Sequence, residues 1–417
     1  MDRRDFLKAC AVGSTCASMP FLASSTVAAI NSPVIWSGVT YLAHNEGRLK
    51  HARAALGKQV PSSGGSVNFS FTQSLAKILP SLNQMNLVLD PETLDPQARP
   101  EYGFTLALAQ EVIGRADQSE GSSRYNCLLV GYGFIYHLYE KRVEFSFPVR
   151  VQNTGAIDGP LDLDSVFVDL MAGSPEQGLS GMNQYLASLV QKQKFEIRDQ
   201  NQWRFQVVTP LEKERLANDT AQMGINKTEF LDWIGFSVTD AFSSRLGVPV
   251  SPFRDSRATG VDMVVRFPTG SETLAMEIPT PDYEIVPLIR GWAVQKQPRA
   301  DGSGIEAVSI IAGLNLNVRF AGDTDSFFAQ RFRMKLDYLE RPGATFDPLL
   351  WVSSMYEVLL TDLFDAVAGD EIAYKRLVNA ESVERGGAGT RITVALHGDD
   401  VERFDSEISR LKSELPS

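Results

Sequence analysis

Residues 128 to 151 contain the feature that most constrains the fold, two strand-like segments joined by the polar pair Glu140 and Lys141. The first segment is apolar and aromatic, and the second alternates between apolar and polar residues. Its apolar positions are Val143, Phe145, Phe147, Val149 and Val151, and the positions between them include Glu144, Ser146 and Arg150. Successive side chains of a strand point to opposite faces. The pattern therefore predicts an antiparallel hairpin with one strongly apolar face.

The second half of the chain has similar parts in a similar order. Strand-like runs cover residues 283–294, 306–320 and 327–339, and each half reads as strand, helix, antiparallel strands and helix. No residue identity at a fixed offset relates the halves. The sequence predicts an α+β fold with antiparallel sheets and helices packed on one face. We expect two similar-sized domains, residues 30–200 and 201–417, and the shared order of parts suggests a structural duplication only weakly.

Capping residues mark several helix ends. Asn226 with Glu229 is typical of a capping box that starts a helix, and a helix over 349–367 is expected to end at Gly369. The last unit is predicted as a strand over 391–396 and a helix over 399–415. That helix carries one apolar stripe: Val401, Phe404, Ile408, Leu411 and Leu415. The stripe is expected to pack on a sheet of the same chain. Residues 102–113 are compatible with either a helix or a strand.

The N-terminal residues resemble a twin-arginine export signal. Arg3, Arg4, Phe6, Leu7 and Lys8 occupy nearly every position of that motif, and an apolar stretch rich in small residues follows. The resemblance implies that residues 1–29 are a cleaved signal peptide read by the twin-arginine translocation machinery. It implies a bacterial protein that is exported folded and is periplasmic or secreted. After cleavage no membrane-spanning segment is expected.

Cysteine and charge counts exclude several classes of protein. Cys10 and Cys16 would leave with the signal peptide, and Cys127 alone can form neither an internal disulfide nor an iron–sulfur site. Cys127 lies in an apolar run and is expected to be a packing residue, and we predict no cofactor. The 40 basic and 51 acidic residues give a net charge of −11, which argues against a nucleic-acid partner.

No residue pattern predicts a catalytic or metal site. His44 and His51 are seven residues apart without a convincing third ligand, so we expect two solvated histidines and no bound zinc. Asp158, Asp162 and Asp164 lack the glycine and glutamate positions of a calcium loop, so a solvated loop or a helix cap is expected. A pair of carboxylates for glycan hydrolysis remains open, because sequence gives no distances.

One strand places three cations side by side. Arg331, Arg333 and Lys335 share a face of the run 327–339, and like charges at this spacing repel unless they are paired or face an anion. The first interpretation is pairing with acidic groups of neighbouring segments. The second is a contact for an anionic partner, such as a phospholipid head group or an envelope polymer.

These observations lead to two expectations for function. The first is a non-catalytic periplasmic protein that assembles or binds an envelope component or a partner protein. The order of elements in each half of the chain resembles that of the small α+β domains of envelope-assembly proteins such as the curli secretion lipoprotein. The second is a cofactor-free hydrolase of a cell-wall or glycan polymer that uses a pair of carboxylates.

Overall fold

A computed structural model describes most of the chain. The described residues are 28–29, 33–42, 47–56, 87–88, 100–117, 122–159, 161–173, 181–186, 196–197, 205–213, 216, 220, 226–253, 262–266, 273–299, 303–340, 348–384 and 390–415. The fold is α+β, as the sequence predicts. Among the described residues, none of the helices combines the length and the apolar character that crossing a bilayer needs.

Long antiparallel strands account for much of the structure. The strands are β1 (Ala28–Ala29), β2 (Val34–Leu42), β3 (Leu87–Val88), β4 (Tyr102–Asp117), β5 (Ser122–His137), β6 (Val143–Asp158), β7 (Glu196–Ile197), β8 (Phe205–Val207), β9 (Leu211–Glu212), β10 (Val250–Ser251), β11 (Asp262–Arg266), β12 (Thr273–Glu277), β13 (Tyr283–Pro298), β14 (Glu306–Phe320), β15 (Ser326–Glu340), β16 (Ser382–Glu384) and β17 (Arg391–Leu396). The helices are α1 (Lys50–Leu56), α2 (Leu163–Ala172), α3 (Lys227–Leu246), α4 (Pro348–Ala368), α5 (Glu371–Asn379) and α6 (Val401–Glu414). Residues 182–186 are also helical.

The first sheet is built on the predicted hairpin, which the structure confirms. Its strand order is β12-β11-β2-β4-β5-β6, with β3 beside β2. In the hairpin Leu129 lies opposite Val151, and Phe134 lies opposite Ser146. The run 102–113, which the sequence left open, belongs to the strand β4.

Both faces of the first sheet are covered. Cys127, Leu129 and Phe147 pack toward α1 and α2 on one face. On the other face Tyr132 packs on Phe236 of α3, with ring centroids 5.4 Å apart. Ser146 lies on this second face, where it is fully buried and its hydroxyl donates to the carbonyl of Val250. The polar positions of β6 therefore face the protein interior.

The second sheet has one covered face and one open face. Its strand order is β10-β8-β13-β14-β15-β17-β16, with β9 beside β13. Along β14 buried and half-buried residues alternate from Val308 to Arg319, as expected for a sheet with one solvated side. The buried side packs on α4, α5 and α6.

The two halves share their topology. In the first half β2 pairs parallel with β4, and β4, β5 and β6 follow as an antiparallel meander. In the second half β8 pairs parallel with β13, and β13, β14 and β15 form the equivalent meander. A helix lies between the first strand and the meander in each half, and another helix follows the meander. The order of these elements is thus the same in the two halves.

Helix α3 lies between the two sheets. It is buried nearly all round, which is typical of a helix enclosed by the core. Phe230 of α3 meets Trp292 of the second sheet at 5.1 Å between ring centroids, while the opposite side of α3 packs on β6. Strand β11 also joins the first sheet by pairing Val265 with Leu42. Packing and strand pairing therefore continue across residue 200.

The last β–α unit closes on the second sheet as predicted. Strand β17 pairs with β15, and α6 packs against β15. Phe404, Ile408 and Leu411 are buried in the core, and the rings of Phe404 and Tyr374 stack with centroids 5.8 Å apart. The apolar stripe is thus covered within the chain.

Candidate functional site

Arg331, the first of the three predicted contact residues, is held by an acidic group at the start of α6. Its Nε and Nη2 atoms donate to the two carboxylate oxygens of Asp400, each at 2.9 Å. The backbone N–H of Arg331 also donates to Asp400, at 2.9 Å. Burial alone would raise the pKa of Asp400, but the hydrogen bonds from Arg331 and Arg403 outweigh it and lower the pKa to about 2. Arg331 therefore anchors α6 to β15.

Lys335 and Arg333 differ in how they are paired. The Lys335 Nζ lies 2.8 Å from the Asp337 carboxylate on the same strand. Arg333 is exposed, and among the described residues its guanidinium has no ion-pair partner. The first interpretation, pairing with acidic groups, thus applies to Arg331 and Lys335. Two cations are paired with acids, and the middle one is available to solvent.

A second unpaired arginine lies close to Arg333. Arg290 occupies the bulge of β13 opposite Gly313, and Gly313 lies opposite Arg333 on the other side. In the part of the chain that the structure describes, Arg290 also lacks an ion-pair partner. A Cβ atom at Gly313 would lie 3.2 Å from the Cβ of Arg290, so the glycine leaves room for the arginine stem. We call the exposed side of the second sheet at Arg290, Gly313 and Arg333 the open face.

The open face is bordered by further polar groups. Asn315 follows on β14, and its Oδ1 atom is buried without a hydrogen-bond partner among the described residues. Arg319 is paired with Glu284 at 2.7 Å further along the same face. The centre of the open face therefore has an excess of positive charge, and its ends are neutralised.

A separate cavity of about 440 Å³ lies between the first sheet and the helices α3 and α4. Strand β6, α3, α4 and the helical residues 182–186 supply its walls. Its polar and charged lining includes Arg150, Gln152, Tyr185, Ser237, Asp240, Arg245 and Glu357. The elements come together here because the inward face of β6 carries polar residues where α3 crosses it.

Ion pairs connect the walls of the cavity. The guanidinium of Arg150 on β6 donates to the Glu357 carboxylate on α4, and it lies 4.0 Å from the Asp240 carboxylate on α3. At the mouth, Arg245 lies 3.4 Å from Asp365. Arg150 is therefore shared unequally between two acids from different helices.

Asp240 has the most perturbed carboxyl group of the cavity. Burial raises its pKa to about 6, and Glu357 acts in the same direction, whereas Arg150 and Arg245 lower it. Its side chain is 16% exposed, and its Oδ1 atom is buried without a hydrogen-bond partner in the described part of the chain. Asp240 thus carries a charge that its surroundings stabilise incompletely.

The histidine and aspartate motifs have structural roles where they are described. His51 was expected to be solvated, and this is wrong. Its Nδ1 lies 2.7 Å from the Asp164 carboxylate, and its side chain is 17% exposed, because α1 packs on α2 at this point. Asp162 caps α2 by accepting from the N–H groups of Asp164 and Ser165, which confirms the helix-cap interpretation. His44 lies outside the described residues.

Other sequence features are placed as follows. Cys127 is fully buried, and burial raises the pKa of its thiol to about 12, so it is a packing residue as expected. Among the described residues no group of His, Cys, Asp and Glu side chains is arranged to hold a metal ion. The export-signal residues Arg3, Arg4, Phe6, Leu7 and Lys8 lie outside the described residues.

Sequence reasoning did not find the cavity residues. The sequence places Arg150 only on the polar side of a hairpin, and Asp240 and Glu357 lie in predicted helices at positions that no motif marks. A comparison of the chain with protein-family models gives no match, and a search of curated proteins gives no significant match. The function is therefore argued from the geometry of the open face and the cavity.

Proposed function

We propose that the chain is an exported, non-catalytic protein that binds an anionic polymer of the bacterial envelope through the open face. The observation that carries the proposal is the pair Arg290 and Arg333, which flank Gly313 without an ion-pair partner among the described residues. The periplasmic or secreted location rests on the twin-arginine motif and remains part of the proposal.

The spacing of the two arginines suits a repeating anion. They lie on β13 and β15, two strands apart, so their backbones are separated by about 10 Å. Each guanidinium offers a planar fork of donors that matches a carboxylate or a phosphate. A polymer with regularly spaced anionic groups can contact both arginines at once, and the second contact then gains from the first.

The charge of the whole protein makes the open face distinctive. The net charge is −11, so the protein as a whole repels polyanions. A local cluster of unpaired cations directs an anionic partner to one surface. The neighbouring cations Arg331 and Lys335 are paired with Asp400 and Asp337. Because these acids offset their charge, they add less to the positive potential of the open face than unpaired cations would.

A second candidate function, glycan hydrolysis, is favoured by one observation. Asp240 and Glu357 line the same cavity, and one of them has a raised pKa, as a general acid requires. Arg150 weakens this candidate, because its guanidinium occupies the Glu357 carboxylate and blocks the approach of that carboxylate to a substrate. We therefore favour binding over hydrolysis.

Sedimentation with purified, insoluble cell-wall polymer tests the proposal. The wild-type protein should pellet with the polymer, and added salt should release it. Arg290→Gln/Arg333→Gln should weaken binding about tenfold, because it removes both unpaired charges and keeps the fold. The matched control is Lys375→Gln/Lys412→Gln, which removes the same charge from exposed positions of α5 and α6.

The outcomes separate the candidates. Equal binding by wild type and the arginine variant would contradict the open-face proposal. Binding only to vesicles of anionic phospholipid would assign the face to a membrane surface and would also contradict it. Release of soluble fragments from the polymer, abolished by Asp240→Asn, would instead support the hydrolase.

A further inference from the structure

The cavity has the size and construction of a small-ligand site. Its volume of about 440 Å³ falls within the usual range for such sites, about 300–1,000 Å³. Three of its walls are β6, α3 and α4, which also contribute to the packed core. Its shape is therefore set by regular secondary structure and is pre-organised for a ligand.

Two polar side chains of α3, Ser237 and Asp240, line the cavity, and each has a buried polar atom without a partner among the described residues. Ser237 is 2% exposed, and its hydroxyl has no partner among the described residues. Asp240 lies three residues further along α3, on the same side of the helix. Its Oδ1 is also without a partner in this part of the chain. One wall thus combines a carboxylate oxygen with a hydroxyl, and both can accept hydrogen bonds.

The charges of the lining favour a positively charged group at this wall. Glu357 takes the direct contact with Arg150, and the Arg150–Asp240 distance of 4.0 Å is too long for a hydrogen bond. Asp240 therefore accepts no direct hydrogen bond from Arg150, and the cation balances its charge only across 4.0 Å. A ligand ammonium group carries three donors and no acceptor, so it can satisfy both Asp240 and Ser237.

The most exposed charged group of the lining is a cation. Arg245 lies one and a half turns from Asp240 on α3, and its side chain is 45% exposed. Its contact with Asp365 is 3.4 Å long and leaves further donors of the guanidinium available. An acidic group of a ligand can bind Arg245. Asp240 thus supplies a negative group and Arg245 a positive group to the same cavity.

We propose that the cavity binds an amino-acid-sized zwitterion, with its ammonium group on Asp240 and Ser237 and its carboxylate at Arg245. The two charged groups of such a ligand match Asp240 with Ser237 and Arg245 in charge and in hydrogen-bonding type. This site is distinct from the open face, so the two proposals succeed or fail independently.

Isothermal titration calorimetry with the standard free L-amino acids, tested one at a time, is the first measurement. We expect at least one of them to bind with a dissociation constant in the millimolar range or below. Its N-acetyl derivative lacks the ammonium group and should bind at least tenfold more weakly. Its amide lacks the carboxylate and should also bind more weakly. If none of the amino acids binds, the proposal is wrong.

Variants then locate the site. Asp240→Asn keeps the side-chain shape and removes the charge, and we expect at least a tenfold loss of affinity. Ser237→Ala should cost about fivefold, and it gives an independent test should Asp240→Asn fold poorly. Asp323→Asn, an exposed change in the turn between β14 and β15, is the matched control and should bind like wild type.

Two results would overturn the assignment. Unchanged affinity in folded Asp240→Asn and Ser237→Ala would place any amino-acid binding elsewhere. Equal binding of the N-acetyl derivative would show that the ammonium group is not recognised. Polymer sedimentation by Asp240→Asn should remain at the wild-type level, because the open face is untouched.

Discussion

Truncation of Phe404 tests how the last helix is attached. Phe404 is 0% exposed in the core between α6 and the second sheet, and its ring stacks on Tyr374 of α5. A buried phenylalanine removes about 150–250 Å² from water, which at about 25 cal/mol per Å² corresponds to about 4–6 kcal/mol. Alanine retains part of that burial and the site relaxes, so Phe404→Ala should destabilise the protein by about 3–5 kcal/mol.

Thermal and urea unfolding followed by circular dichroism measure this change. The matched control is Ile372→Ala on α5, where the side chain is 65% exposed, and its effect should stay within about 0.5 kcal/mol. Phe404→Ala should lower the midpoint by several degrees relative to that control. Equal unfolding curves for the two variants would refute the docked position of α6. The stripe would then be available to a partner.

The remaining predictions concern acid stability, export and metal dependence. The pKa of Asp400, about 2 in the folded protein, lies below its unfolded value of about 3.9. Its stabilisation is therefore complete above about pH 4 and is lost as the pH falls toward 2. Since Arg331 is partly exposed, we expect the free energy of unfolding to fall by about 1–2 kcal/mol over this range. Acid unfolding of wild type and Asp400→Asn would measure the difference. Equal acid sensitivity of the two proteins would contradict the prediction. Arg3→Lys/Arg4→Lys should leave an uncleaved precursor in the cytoplasm, as fractionation and immunoblotting would detect, because lysine lacks the guanidinium fork; normal export would end that claim. Melting temperatures with and without EDTA should coincide, and a drop of several degrees with chelator would reveal a structural metal.

The sequence predicted elements best where one face of a strand meets solvent. In β14 and β15 the alternation is nearly complete, and the strands end close to their predicted limits. The capping box was also readable, because its contacts are local. Asn226 accepts from the N–H groups of Thr228 and Glu229, and its amide donates to the Glu229 carboxylate at 3.2 Å.

The run 102–113 could not be assigned from its pattern for a physical reason. Strand β4 is buried on both faces, with Leu106 packed toward α1 and α2 and Ala107 on the opposite face, in the core that includes α3. Without a solvated side there is no alternation, and a continuous apolar run suits a buried helix equally well. The cover on the second face comes from α3, more than a hundred residues later.

The candidate sites could also be predicted only in part from the sequence, because they depend on contacts between distant residues. Arg333 could be singled out because its neighbours Arg331 and Lys335 are on the same strand, but the acids that pair with those neighbours decide which cation stays free. Asp400, the partner of Arg331, follows β17 and reaches β15 only through the fold. Arg290 lies on the open face because of a bulge in β13, and no local sequence pattern predicts that bulge. Contacts between residues far apart in the sequence therefore determine which arginines of the open face remain unpaired.

Arginine footprinting tests the open-face proposal most directly. The folded protein is treated with phenylglyoxal, with and without the soluble form of the anionic polymer, and modified arginines are quantified by mass spectrometry. We predict that the polymer protects Arg290 and Arg333 and leaves Arg391, which is 64% exposed beside Glu384, as reactive as before. Bound polymer with unchanged modification of Arg290 and Arg333 would contradict the proposal.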